Sequence, residues 1–318
     1  VWSVEADPAS ITVGGTSTLK TRLNFNAAVT AVSYAPSPDG KVTIDGNTVT
    51  GVARGTVTIT ATAAGSSKTT TLTVTGGTAG NWVYVDSHSG QIQYTGNWVD
   101  ETSTNHFEGS AKEANDAPGA TASLTFTGTG FRWFGQMDSN YGRAWIYVDD
   151  VLVAIGNANS STNPYQFTIL ELHGLENKQH TVRLEAESTA PVQVDAFAYY
   201  TGTDLDETVS SVALEPSGLI RLGDGESKRV LAMAMNAERV VVFRDDFRFT
   251  LENDTIAGLS GDGKTQKTVT GKMAGRTRLH VTLPELNDKS ATAEIVVTST
   301  EPATTPRMLV DAEHPLLL

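Results

Sequence analysis

Hydrophobic positions along this chain recur at every second residue, in short runs separated by clusters of Gly, Pro, Asp and Asn. In the middle of the chain Ala122, Leu124 and Phe126 alternate with Ser123 and Thr125, and Ala144, Ile146 and Val148 alternate with Trp145, Tyr147 and Asp149. A period of two marks a strand with one face buried. The N-terminal part repeats the pattern at 11–13, 19–23, 42–44, 57–61 and 72–74, with turn signals at 14–15, 36–40 and 45–47. Strands this short at this spacing predict a β-sandwich. The many Thr residues on the outer faces are β-branched, which favours strands while keeping the surface polar.

Two stretches carry a second signal. Between the alternating runs around 122–126 and 144–149 lie Phe131-Arg132-Trp133-Phe134-Gly135 and the polar loop 136–143, with Asp138, Asn140, Tyr141 and Arg143. A second polar loop, 156–165, reads either as a further source of amides or as a plain crossover. The other stretch is a phrase that occurs twice: Val49-Thr50-Gly51-Val52-Ala53-Arg54-Gly55 early, and Val269-Thr270-Gly271-Lys272-Met273-Ala274-Gly275 late. The strand openings that precede them also agree, Val4-Glu5-Ala6-Asp7-Pro8 against Val212-Ala213-Leu214-Glu215-Pro216. The first and last thirds therefore read as two copies of one fold.

The repeated phrase resembles the group 2 bacterial immunoglobulin-like domains. The middle third, through Phe126-Thr127-Gly128-Thr129-Gly130, Trp133, Gly135, Gly142, Ala144 and Tyr147-Val148-Asp149, is similar to bacterial carbohydrate-binding modules of the galactose-binding-like jelly-roll fold. That likeness continues through His180-Thr181-Val182-Arg183-Leu184-Glu185 and Val194-Asp195-Ala196-Phe197. The fold expected is all-β, with three β-sandwich domains: an immunoglobulin-like domain at 1–76, a jelly roll at 81–201 and a second immunoglobulin-like domain at 208–299. A Pro/Thr linker and the start of a further module are expected at 300–318. A length of 318 residues suits two or three domains better than one sandwich.

Composition narrows the function. A formal net charge of −13 argues against nucleic acid and anionic membrane as partners. The chain has no cysteine, so it holds neither a disulfide nor a thiolate metal site; with its Thr/Ser/Gly-rich strands this points to an exported or surface protein. No run approaches the apolar length of a membrane-spanning helix. Neither an H-E-x-x-H pair nor a G-x-S-x-G elbow occurs, and there is no P-loop or dinucleotide fingerprint. Asp149 and Asp150 are neighbours that point to opposite faces, and Glu185 and Glu187 lie beside Arg183, so no paired acid and base for glycoside hydrolysis is legible. Catalysis by these residues is not expected.

Four of the five tryptophans, Trp82, Trp98, Trp133 and Trp145, fall in the middle third. A tryptophan face stacks on the C–H face of a pyranose. Trp82 and Trp145 read as structural residues. Trp98 or Trp133, with Tyr141, is the expected stacking platform, and Asp138, Asn140 and Arg143 the expected polar set. An arginine that can pair bidentately with a uronate hints at an acidic polysaccharide. What the resemblance implies further is a structural Ca²⁺, with Asp86 and Asp195 as ligands, and a polysaccharide partner presented to a catalytic module elsewhere in the same parent chain. The alternatives are a cell-surface stalk or adhesin, and scaffold domains that bind no glycan.

Overall fold

The computed structural model describes residues 1, 3–23, 31–37, 40–52, 54–284 and 286–299. The linker and further module expected at 300–318 lie outside them. The described chain is all-β, a set of sheets packed face to face, with a single 3-10 turn at Phe107–Gly109.

The first and last parts repeat one topology. Near the N-terminus one sheet runs in the order Ser3–Asp7, Thr16–Arg22, Thr48–Gly51, Val42–Asp45, and a second in the order Ser10–Thr12, Ser66–Thr75, Gly55–Ala63, Ser33–Ser37. The C-terminal part gives Ser211–Glu215, Ser227–Met235, Gln266–Gly271, Ala257–Ser260 against Leu219–Gly223, Leu286–Thr298, Gly275–Leu283, Arg248–Leu251. In both, the short second strand runs parallel to the last one. The repeated glycines have a packing reason: a Cβ on Gly51 would lie 2.7 Å from the Thr12 carbonyl oxygen, and one on Gly271 would lie 2.4 Å from the Gly223 carbonyl oxygen. Each part has its own core, built around Val57, Ile59 and Leu72 in the first and Ile220, Leu279 and Ile295 in the last.

The middle part is a sandwich of two larger sheets. One is five-stranded: Ile92–Thr95, Thr121–Gly128, Lys178–Ala186, Arg143–Val148, Val151–Asn157. Its inward residues Ala122, Leu124, Phe126, Ala144, Ile146 and Val148 are all buried, as the alternation predicts. The facing sheet contains Phe167–His173, Gly130–Gly135, Ala196–Tyr200 and Trp82–Asp86, and it does not stop there. Phe167–His173 pairs in parallel with Val241–Val242, which carries the sheet on into Ser227–Met235. Leu231, Met233 and Val241 from the last part are members of the middle part's own core, together with Phe131, Trp133 and Phe197. The middle and last parts thus share a sheet and a hydrophobic core.

A small third sheet covers one end of the sandwich. Val99–Thr102 pairs with Ser110–Ala114, which pairs with Val192–Val194. Among the described residues no helix is long and apolar enough to cross a membrane.

Candidate functional site

The small sheet places polar side chains where the sandwich would otherwise close with apolar ones. Glu113 sits opposite Val99 on one neighbour and opposite Gln193 on the other, and Glu101 sits opposite Ala111. Glu101 and Glu113 are therefore diagonal neighbours on one face of the sheet, and Gln193 is the direct neighbour of Glu113 on that face. The loop between the first two strands folds back on itself, with Ser103 N–H donating to the Gly109 carbonyl (3.1 Å) and His106 N–H to the Ser103 carbonyl (3.1 Å). Phe107 N–H pins it by donating to Asp195 Oδ1 at 2.8 Å. These bonds swing His106 in over the same face.

The result is a connected polar cluster. The Gln193 side chain is wholly buried; its Nε2 donates to Glu101 Oε2 (2.9 Å) and to the Tyr141 hydroxyl (3.4 Å), and its Oε1 accepts from Gln136 N–H (3.0 Å). The Tyr141 hydroxyl donates to Glu113 Oε2 at 2.5 Å. Burial pushes the Glu113 carboxyl up, partly offset by the Tyr141 hydrogen bond, and neighbouring Glu101 pushes it up further. Burial, with Glu113 beside it, also raises the Tyr141 hydroxyl well above the ordinary phenol range. His106 Nε2 stands 3.8 Å from Glu101 Oε2, and Nδ1 stands 3.8 Å from Asp195 Oδ2. Tyr165 meets the His106 ring edge-on at 5.4 Å and is 40% exposed. Glu101 and Tyr165 are the members of the cluster that reach solvent.

The two polar loops of the middle part meet at this end. Asp138 and Asn159 form an isolated bridge, and Asn159 Nδ2 donates to the carbonyls of Ser139 (2.6 Å) and Tyr141 (3.2 Å). Met137 N–H donates to the Pro164 carbonyl at 3.1 Å. The 156–165 loop is thus a structural partner of the 136–143 loop, an arrangement that sequence reasoning leaves open.

The structure distributes the expected binding residues differently. Trp133 has no solvent exposure; its Nε1 donates to the Gln193 carbonyl at 2.8 Å, and its ring packs where a Cβ on Gly156 would lie 2.3 Å away. A ring so enclosed offers no face to a sugar. Trp98 packs on Tyr94 with ring centroids 5.0 Å apart and donates to the Thr95 carbonyl, in the connection from the five-stranded sheet to the small sheet. Tyr141 is buried, and it joins the cluster through its hydroxyl instead of stacking. Asp138 caps its own loop, accepting from the Ser139 hydroxyl at 3.1 Å, while Asn140 is exposed.

Arg143, expected to meet an acidic ligand, has carboxylate partners within the chain. Its guanidinium is held bidentately by Glu187 (Nε to Oε2 2.6 Å, Nη2 to Oε1 2.7 Å), and Nη1 donates to Glu215 Oε1 at 2.6 Å. These bonds use three of the five guanidinium N–H donors, and Glu215 belongs to the last part of the chain. The bond therefore ties two parts of the molecule together.

Asp86 and Asp195 lie on neighbouring segments, with Asp86 opposite Ala196 and Ser87 N–H donating to the Asp195 carbonyl at 3.2 Å. Asp86 Oδ1 accepts from His88 N–H and Asp195 Oδ1 from Phe107 N–H, while the Oδ2 of each is buried without a hydrogen-bond partner. Burial raises the Asp195 carboxyl, and the nearby Asp86 charge raises it further. A buried carboxylate oxygen without a donor is the type of hard ligand that Ca²⁺ takes. Among the described residues no three His, Asp or Glu side chains gather around a common point, so backbone carbonyls and water would complete such a site.

Glu101, His106, Glu113, Gln193 and Tyr165 are not legible as a site, because they come from three stretches far apart in sequence, 101–113, 165 and 193. One local signal exists: Gln193 interrupts an apolar strand between Val192 and Val194. A buried amide in such a run must have partners.

Part of this chain is similar to parts of known proteins. No family model matches it. Over 118 residues, 37% of its length, it is 36% identical to an A type blood N-acetyl-α-D-galactosamine deacetylase of Flavonifractor plautii. Over 119 residues it is 34% identical to an A type blood α-D-galactosamine galactosaminidase of the same organism. The matched stretches span 15% and 11% of those two proteins. Among solved structures, a family two carbohydrate esterase from Cellvibrio japonicus aligns with 46% of this chain and 40% of its own, at 11% identity and a TM-score of 0.28. Domains 4–9 of the surface layer protein SbsC align with 89% of this chain and 43% of their own, at 16% identity and a TM-score of 0.25. Part of this chain is therefore related in sequence to part of two carbohydrate-active enzymes.

Proposed function

We propose that this chain is a non-catalytic, glycan-binding region of a larger secreted or surface-attached carbohydrate-active enzyme. In this reading residues 81–201 form the binding module, and 1–76 and 208–299 are sandwiches that position it relative to a catalytic module in the same parent chain. The observation that carries the reading is the cluster of Glu101, His106, Glu113, Tyr141 and Gln193 beside the exposed ring of Tyr165. Sugar sites combine an aromatic face with a few fixed hydrogen-bonding groups, and here the buried network holds those groups in place. The sequence relation to two carbohydrate-active enzymes supports the same class of ligand. Tethering lets a weak site of this kind raise the local substrate concentration at the catalytic module.

Affinity electrophoresis of the whole chain against neutral, acidic and amino polysaccharides tests this. Retardation by one polymer, abolished in folded Tyr165→Ala and Glu101→Ala variants and kept in Trp98→Ala, is the expected result. A chain that no polymer retards acts as a stalk or scaffold, and retardation lost only in Trp98→Ala moves the site to the connection between the five-stranded and small sheets.

Asp86 and Asp195 are proposed to hold a structural Ca²⁺ that fixes the 103–109 loop, and with it His106, onto the small sheet. Calcium chloride is then expected to raise the thermal midpoint over that in a chelator, by the linkage of binding to folding. The same addition should leave an Asp195→Asn variant unchanged. Identical melting of the unaltered chain with and without calcium would rule the site out.

A further inference from the structure

Three glycines in the five residues 76–80 read as a flexible joint between the first part and the middle one. The structure closes most of that joint. Thr203 N–H donates to the Thr78 carbonyl (2.9 Å) and Thr201 N–H to the Asn81 carbonyl (3.1 Å), which continues the antiparallel pairing of Trp82–Asp86 with Ala196–Tyr200. Side chains fasten the same two segments: Thr78 N–H donates to Thr203 Oγ1 at 3.0 Å, Asn81 N–H to Thr201 Oγ1 at 3.1 Å, and Gly80 N–H to the Tyr200 hydroxyl oxygen at 3.0 Å. Gly77, Gly80 and Gly202 allow this approach, because a Cβ on any of them would overlap the facing backbone. Gly76 differs. Its φ is +62° and a Cβ there would meet nothing, so the chain has room to turn at that residue.

The strand that leaves the middle part then meets the first part through charge. Glu207 pairs with Lys41, and Arg54 adds positive charge toward Asp206 and Glu207. On its other side the same segment is seated on the middle part, with Leu205 against Gly130 and the Asp206 carbonyl 3.0 Å from His173 Nδ1. The side chains of Lys41 and Glu207 are only 23% and 8% exposed. Removing one partner of a pair so withdrawn from water leaves the other as a buried charge with nothing to oppose it. Parting the two surfaces relieves that cost, because the remaining group regains water.

We propose that the Lys41–Glu207 pair is a latch on this joint. Closed, it holds the first part against residues 204–207. Open, it lets the first part swing about Gly76, while the paired linkers from Gly77 onward and the sheet shared by the middle and last parts stay in place. The latch lies at the joint and not at the proposed sugar-binding end, so it stands or fails separately from that reading.

Distances between paired spin labels test this, and the absence of cysteine from the chain makes each introduced label site unique. Lys68→Cys with Lys264→Cys spans the first and last parts, and Gln91→Cys with Lys264→Cys spans the middle and last; all three positions are exposed. In the otherwise unaltered chain each pair is expected to give one narrow distance distribution by pulsed electron paramagnetic resonance. Lys41→Glu sets like charge against Glu207. It should broaden the distribution of the first pair and leave that of the second narrow, and adding Glu207→Lys to it should bring the narrow peak back. A first pair that is already broad without Lys41→Glu, or that stays narrow with it, overturns the latch. Lys41→Met removes the cation without adding charge and is expected to broaden the first pair as well, so the outcome is decided even if Lys41→Glu does not fold.

Discussion

Trp133 and Tyr165 show how the fold sorts aromatic side chains into different duties. Trp133 lies in the middle of an inward-facing strand, so its ring fills the core and its Nε1 satisfies the Gln193 carbonyl. Tyr165 lies in a loop whose backbone is tied to the 136–143 loop, and its ring remains in solvent beside His106. Truncating them should therefore have opposite signatures. Trp133→Ala is expected to destabilise the chain by about 3–5 kcal/mol, as for other large core aromatics, in a denaturant titration. Tyr165→Ala should leave the unfolding midpoint nearly unchanged and lower glycan affinity alone. A Trp133→Ala variant of unaltered stability would contradict the enclosed position of that ring. The indole's enclosure follows from strand parity and from Gly156 on the neighbouring strand, and a reading of composition alone cannot supply either.

At the scale of elements, period-two alternation carries most of the fold. Ala122, Leu124 and Phe126 face the core, as do Ala144, Ile146 and Val148, while Trp145 and Tyr147 lie on the outer face. Local alternation was enough here because each strand buries one face. The site was far less legible. Glu113 and Gln193 are cross-strand neighbours from segments some distance apart, and His106 enters the cluster only because Asp195 holds the loop that carries it. The polar 136–143 loop reads from sequence as a source of ligand-binding side chains. The structure uses most of them to join loops and strands. Arg143 is the clearest case, since one of its partners, Glu215, lies in another part of the chain. A double-mutant cycle on Arg143 and Glu215 should give a coupling of roughly 1 kcal/mol, modest because the arginine is partly exposed. A coupling of zero would mean that this contact does not link the two parts.

For the whole molecule, the notable feature is the difference between its two joints. The middle and last parts share a continuous sheet through Phe167–His173 and Val241–Val242, a common core and the Arg143 bridge. The first part meets the rest mainly through polar contacts around the joint, among them Thr78 N–H to Thr203 Oγ1 at 3.0 Å, and the Lys41–Glu207 pair. A binding end built on a sandwich that is fused to its neighbour keeps a fixed direction relative to that neighbour, which is useful if the neighbour leads to a catalytic module. The proposed glycan site is the cluster at Glu101, His106 and Tyr165. Hydrogen–deuterium exchange of the whole chain, with and without the polymer that retards it in affinity electrophoresis, measures this directly. Protection confined to peptides covering 99–109, 159–167 and 192–195 is the predicted result. Protection centred on residues 92–98 or on the last sandwich, with those peptides unchanged, would contradict it.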